Sequence, residues 1–198
     1  MRVGVLALQG DVREHLTALR GCGAEATTVR TAADLEGVDA LVLPGGESTT
    51  MSRLIQVFGL EAPLRERLAQ GMPTLSTCAG LILLSSEVLD GRPDQINFGV
   101  LDVTVRRNGY GRQVESFEAD VVVAPLGSDP FHAVFIRAPL IVRTGPAAEV
   151  IASFGDNAVA VAQGPHIGLS FHPEMTDDAR LHRLFLQRAA AILEESAA

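Results

Sequence analysis

Three short segments of this chain hold the residue types needed for acyl transfer. Thr77-Cys78-Ala79-Gly80 offers a thiol, and Ser170-Phe171-His172-Pro173-Glu174 offers an imidazole with a carboxylate two residues on. A nucleophile, a base and an acid that orients the base are the minimum set for chemistry through a thioester. Leu43-Pro44-Gly45-Gly46-Glu47-Ser48-Thr49 adds a glycine turn whose backbone N–H groups could hold an oxyanion. Each segment follows a short apolar run that reads as a buried strand.

A strand entering Cys78 and a helix leaving at Ala79 make a strand–turn–helix elbow. The helix dipole at such a position favours the thiolate, and Gly80 lets the helix pack close to the turn. The usual elbow pattern begins with Gly, and here that position is Ser76. The bland alternative is a buried cysteine acting as a small hydrophobe. Pro173 stiffens the turn after His172, so Glu174 can reach the imidazole and fix its tautomer. The alternative is a strand-end histidine with a helix-start acid that complements the dipole. His15, His132, His166 and His182 lack such a context and read as surface or satisfied core. Cys22, between Gly21 and Gly23, reads as structural filler.

The elements that must position these groups follow from periodicity. Val3 to Leu8 and Ala40 to Leu43 are aliphatic on both faces, as in strands buried within a parallel sheet. Asp11 to Arg20, Ser48 to Phe58 and Glu61 to Gln70 read as helices, with Ser48 or Thr49 as the second one's N-cap. Thr74 to Thr77 is a strand and Ala79 to Leu89 a helix. After Gly91 the pattern alternates more. Gly99 to Arg106, Val114 to Val123, Ala133 to Arg137 and Leu140 to Thr144 read as antiparallel or mixed strands. Val150 to Phe154, Ala158 to Gln163 and Ile167 to Phe171 form a closing meander. Thr176 to Ala191 is a final helix capped by Thr176, followed by a frayed Glu194 to Ala198. The expected fold is α/β: one domain over residues 1–198, with a mostly parallel central sheet, helices on both faces and a smaller mixed or antiparallel portion. In such a sheet ligand sites gather at the carboxyl ends of the strands, where the three segments fall.

Composition bounds the function. A chain of 198 residues with 47% hydrophobic and 20% charged content fits one globular domain. The formal net charge of −8 argues against nucleic acid as a partner. No apolar run approaches the ~20 residues needed to cross a bilayer, and the short Val3 to Leu8 run reads as a first strand and not a signal peptide. The 2 cysteines give neither a disulfide framework nor metal-ligand spacing. A reducing, cytoplasmic setting is expected.

These motifs resemble the class I, triad-type glutamine amidotransferases, and within them the glutaminase subunits of two-component pyridoxal 5′-phosphate synthases. The resemblance covers nearly the whole chain. Thr77-Cys78-Ala79-Gly80 and the His172-Pro173-Glu174 segment are shared by the wider superfamily. Leu8-Gln9-Gly10, Gly45-Gly46-Glu47-Ser48-Thr49 and Phe135-Ile136-Arg137-Ala138-Pro139 point to the vitamin B6 branch. Asn108-Gly109-Tyr110 varies a segment often written Asn-Ser-Phe there. The resemblance implies Cys78 as nucleophile, with His172 and Glu174 completing the triad. It also implies an oxyanion hole at Gly46 and Ala79, and L-glutamine held against Gly46, Glu47, Ser48, Arg107, Ile136 and Arg137. Gln9 is implied near the oxyanion turn and the partner interface, as a residue that couples activity to assembly. No metal or organic cofactor is implied. The implied partner is a barrel-shaped synthase subunit that consumes the ammonia within a large hetero-oligomer. An ammonia-donating subunit serving imidazole glycerol phosphate synthesis would share the triad but not the vitamin B6 segments together. A non-catalytic relative that kept only the fold would not need Cys78, His172 and Glu174.

Overall fold

The computed structural model describes residues 1–107, 109 and 116–197. Asn108 and Tyr110 of the Asn108-Gly109-Tyr110 segment, and the first two residues of the strand expected from Val114, lie outside them. The chain runs β1 (Arg2–Leu6), α1 (Val12–Gly21), β2 (Glu25–Val29), α2 (Ala32–Glu36), β3 (Ala40–Leu43), α3 (Ser48–Val57), α4 (Glu61–Ala69), β4 (Thr74–Thr77), α5 (Ala79–Leu84) and β5 (Ser85–Val88). It continues through β6 (Leu101–Arg106), β7 (Ser116–Val121), β8 (Phe131–Ile136), β9 (Leu140–Thr144), β10 (Glu149–Phe154), β11 (Asn157–Gln163), β12 (His166–Leu169), a 3-10 turn at Pro173–Met175, and α6 (Arg180–Ala197).

Seven strands form the central sheet in the order β10-β11-β12-β4-β3-β1-β2. The run from β12 to β2 is parallel, and β10, β11 and β12 form the antiparallel meander. This is the expected mostly parallel sheet. Its strands alternate between two apolar cores. Ala40 and Val42 of β3 join Leu19 of α1 and Leu181 and Phe185 of α6 on one face. Leu41 and Leu43 join Met51 and Ile55 of α3, Leu64 of α4 and Leu81 of α5 on the other. Each fully buried Leu or Phe contributes about 1.5–3 kcal/mol. The smaller portion is mixed: β5 pairs with β6 in parallel, while β6–β9 and β7–β8 are antiparallel. Among the described residues no helix is long and apolar enough to cross a membrane.

Several local expectations are corrected. α3 is capped by Glu47, not by Ser48 or Thr49: the Glu47 carboxylate accepts from the N–H groups of Thr49 and Thr50, while the Ser48 hydroxyl is drawn inward to Gln95 Oε1. The helix expected to reach Leu89 ends at Leu84, because Ser85 turns extended and β5 pairs with β6 instead. Thr176 closes the 3-10 turn, and α6 begins at Arg180, whose N–H donates to Asp178 Oδ1 at 2.9 Å. α6 then runs on to Ala197, past the expected fraying point. β2 and α2 were not anticipated. β2 is a half-polar edge strand, and α2 is a five-residue helix held by a reciprocal cap between Thr31 and Asp34.

Candidate active site

Register places the chemistry. β12, β4, β3 and β1 are consecutive in the sheet and parallel, so their carboxyl ends open onto one place. Thr77 lies opposite Leu169 across β4 and β12. Cys78 therefore leaves one strand beside the point where Ser170-Phe171-His172 leaves the next. The Cys78 N–H donates to Leu169 O at 2.8 Å, which pins the elbow to that neighbour.

The elbow is strained. Cys78 sits at φ 47° and ψ −102°, a region L-residues seldom occupy, at a cost of about 1–3 kcal/mol. Gly80 is needed behind it, since a Cβ there would stand 2.1 Å from Leu43 O. Ser76 at the first elbow position fits: it is fully buried opposite Gly168, and its hydroxyl donates to Ile167 O at 3.1 Å. The Cys78 Sγ lies 3.8 Å from Ile136 O, at the end of β8. Cys22 is half-buried at the end of α1 and takes no part.

His172 and Glu174 meet as expected. His172 Nδ1 is 2.8 Å from Glu174 Oε1, and both side chains are buried. His172 Nε2 has no hydrogen-bond partner among the described residues. Burial works against the imidazolium, but the Asp11 and Glu174 carboxylates and the Cys78 sulfur close to the ring outweigh it and push His172 up to about 12. Burial alone would raise the Glu174 carboxyl; His15 and His172 beside it hold it well below the usual carboxylate range.

A cavity of about 270 Å³ opens in front of Cys78 and His172. Gln9, Gly46, Glu47, Ser48, Arg107, Ile136 and Arg137 all line it. Glu174 stands behind His172, and Ala79 lies buried at the first position of α5, where a backbone N–H has no intrahelical acceptor. Glu47 is fully engaged: besides capping α3 it pairs with the Arg107 guanidinium at 2.8 Å, and its N–H donates to Gln9 Oε1 at 2.7 Å. Thr49 and Thr50 lower the Glu47 carboxyl against the opposing effect of burial. Arg137 is exposed and, like Cys78, holds a positive φ, 45°.

Sequence reasoning missed Asp11, Ile82 and Gln95. Asp11 lines the cavity, and its Oδ2 is 3.4 Å from His172 Nδ1. Its signal was its place just past β1, at another strand's carboxyl end. Ile82 lies one turn beyond Cys78 on α5. Gln95 bridges Ser48 and Ser52 from an irregular loop that carries no motif. Of the remaining histidines, His132 and His15 fit the reading as surface and satisfied core, while His166 and His182 depart from it. His132 is exposed between Asp120 and Glu118. His15, His166 and His182 are buried, and the Nδ1 atoms of His166 and His182 lack hydrogen-bond partners among the described residues.

Residues 5–191 match the sequence profile of the SNO glutamine amidotransferase family. The chain belongs to this family. It is 58% identical over 186 residues to a pyridoxal 5′-phosphate synthase subunit PdxT from Parafrankia sp. (strain EAN1pec), covering 94% of this chain and 92% of that one. A subunit of the same name from Nocardia farcinica (strain IFM 10152) is 57% identical over 189 residues, covering 93% and 84%. A crystal structure of a glutamine amidotransferase superposes with a TM-score of 0.88 at 51% identity, covering 95% of this chain and 98% of that one. As a glutamine amidotransferase, the chain is an amide hydrolase.

Proposed function

We propose that residues 1–198 act as one glutaminase unit in the cytoplasm, hydrolysing the side-chain amide of L-glutamine through a thioester on Cys78. The ammonia passes to a pyridoxal 5′-phosphate synthase subunit bound in a large hetero-oligomer. The observation that carries this reading is the line Glu174 Oε1···Nδ1 His172, with His172 Nε2 left unpartnered beside a strained Cys78 at the cavity.

His172 holds the proton of the Cys78 thiol as an imidazolium, and the Cys78 thiolate attacks the amide carbon. Backbone N–H groups at Gly46 and Ala79 receive the oxyanion. The imidazolium returns its proton to the departing nitrogen, releasing ammonia and leaving the thioester. His172 then draws a proton from water, whose oxygen attacks the thioester; glutamate leaves and the thiol is restored. Glu174 remains a carboxylate throughout and stabilises the imidazolium. Free glutamine carries a carboxylate and an ammonium at Cα. Arg107 and Arg137 suit the carboxylate, as does the start of α3 at Ser48. Glu47 holds Arg107 in the cavity wall, and its negative charge there suits the ammonium. The Gln9–Glu47 bond ties the end of β1 to the glycine turn, which fits Gln9 for coupling activity to partner binding. Cys78→Ala in the full chain should abolish glutamate release while the fold persists; undiminished release from that variant would end the proposal.

A further inference from the structure

Behind the triad lies a buried group of side chains that the reaction above does not use. His15 of α1 and His182 of α6 are both fully buried. Their rings meet at Nδ1 of His15 and Nε2 of His182, 3.1 Å apart. His15 Nε2 lies 3.2 Å from Thr77 Oγ1, the residue that leads into Cys78. The same nitrogen is 3.4 Å from Glu174 Oε2. That oxygen has no hydrogen-bond partner among the described residues, although its carboxylate is buried and holds the base.

The protons in this group have one consistent placement. His182 has no partner at Nδ1. A buried N–H there would be orphaned, whereas a bare lone pair costs less, so the His182 proton belongs on Nε2 and points at His15. Burial and the neighbouring His15 push His182 down to about 4, which leaves it with that single proton at neutral pH. His15 Nδ1 then accepts, and the His15 proton is on Nε2, facing both Thr77 Oγ1 and Glu174 Oε2. The reverse tautomer would aim a lone pair at a carboxylate oxygen that already lacks a donor.

We infer that His15 is a positioning residue for the triad: its Nε2–H, oriented by His182, holds Glu174 by Oε2 so that Oε1 stays on His172 Nδ1. This rests on the thioester reading above. The donors then run in one direction, from His182 through His15 to one oxygen of Glu174, with His172 donating to the other. His172 Nε2 is left as the atom that exchanges protons with Cys78 and with the leaving nitrogen. Through Thr77 the same imidazole also braces the strand end that carries the nucleophile. His15 touches no substrate.

The test uses the full chain with its synthase partner. In the 15N spectrum of imidazole-labelled protein, His15 should be protonated at Nε2; a bare Nε2 on His15 would overturn the inference without any mutation. His15→Asn removes the donor near Oε2, while His15→Gln keeps an N–H at the distal position. The Asn variant should lose about 10–100-fold in kcat with KM for glutamine within about twofold, as expected for a misplaced base. The Gln variant should recover most of that loss. Equal kcat in wild type and Asn variant, or equal losses in the two variants, would overturn it. Should the Asn variant not fold, His182→Phe against His182→Gln repeats the comparison one step back. Cys78→Ala is assayed alongside. If it stays active, the thioester reading fails; if it is dead while the His15 variants match wild type, only the positioning role fails.

Discussion

A methyl group at position 45 would stand 2.3 Å from His172 Cε1 and 2.8 Å from its Nδ1. The backbone of the glycine turn is therefore the wall against which the base rests, and the turn and base cannot be varied separately. Gly45→Ala should displace the imidazole by several tenths of an ångström or more. The expected loss in kcat is about 100-fold, with far-UV circular dichroism unchanged. Steady-state kinetics on the purified variant check this.

Backbone strain at Cys78 predicts an inverted order of stability. Gly ordinarily costs about 0.5–1 kcal/mol relative to Ala. At φ 47° the Cβ itself is the source of strain. Cys78→Gly should therefore melt higher than Cys78→Ala, by a margin of about 1 kcal/mol. Thermal unfolding of the two inactive variants makes the comparison.

Glu174→Gln should keep the shape of the site and remove its charge. The amide can present either an oxygen or an N–H to His172 Nδ1, and the second forces the wrong tautomer. A loss of about 1,000–10,000-fold in kcat is expected, as for other triads deprived of their acid. Single-turnover glutamate release quantifies it.

Ser76→Gly should cost stability but little activity. It removes a buried hydroxyl that donates to Ile167 O and adds backbone freedom to the unfolded chain, about 1–2 kcal/mol together. Urea unfolding should show that loss, with kcat within about threefold of wild type.

Acid should weaken the fold through two histidines outside the triad. Burial pushes His166 and His182 from 6.5 down to about 4. Below pH 6.5 the unfolded chain takes up both protons and the folded chain does not. Stability complete above pH 6.5 is then lost as pH falls toward 4, about 2 kcal/mol per histidine by pH 5. His172 is raised, so its contribution is complete below 6.5 and constant in this window. Glu174 is lowered, so its contribution persists until pH falls below 4.5. Urea midpoints at pH 7 and pH 5 test the fall, which His166→Gln should reduce.

Much of the site was legible because its chemistry sits on short motifs at strand ends. Cys78, His172 and Glu174 follow runs whose apolar character fixes them as buried strands, and strand order then brings them together. What stayed hidden depends on distant pairing. β2 mixes polar and apolar residues because only one of its edges is paired, so its periodicity is weak. α5 stops at Leu84 because β6, sixteen residues further on, offers Ser85–Val88 a partner. The contact of His15 with Glu174 joins α1 to the 3-10 turn across the length of the chain, and no spacing announces it.

The most direct test of the account is the rate of glutamate release from L-glutamine by this chain, alone and with a pyridoxal 5′-phosphate synthase subunit added. The account predicts slow release alone, faster release in the complex, and the appearance of pyridoxal 5′-phosphate. Equal rates with and without the synthase, and no pyridoxal 5′-phosphate formed, would contradict it.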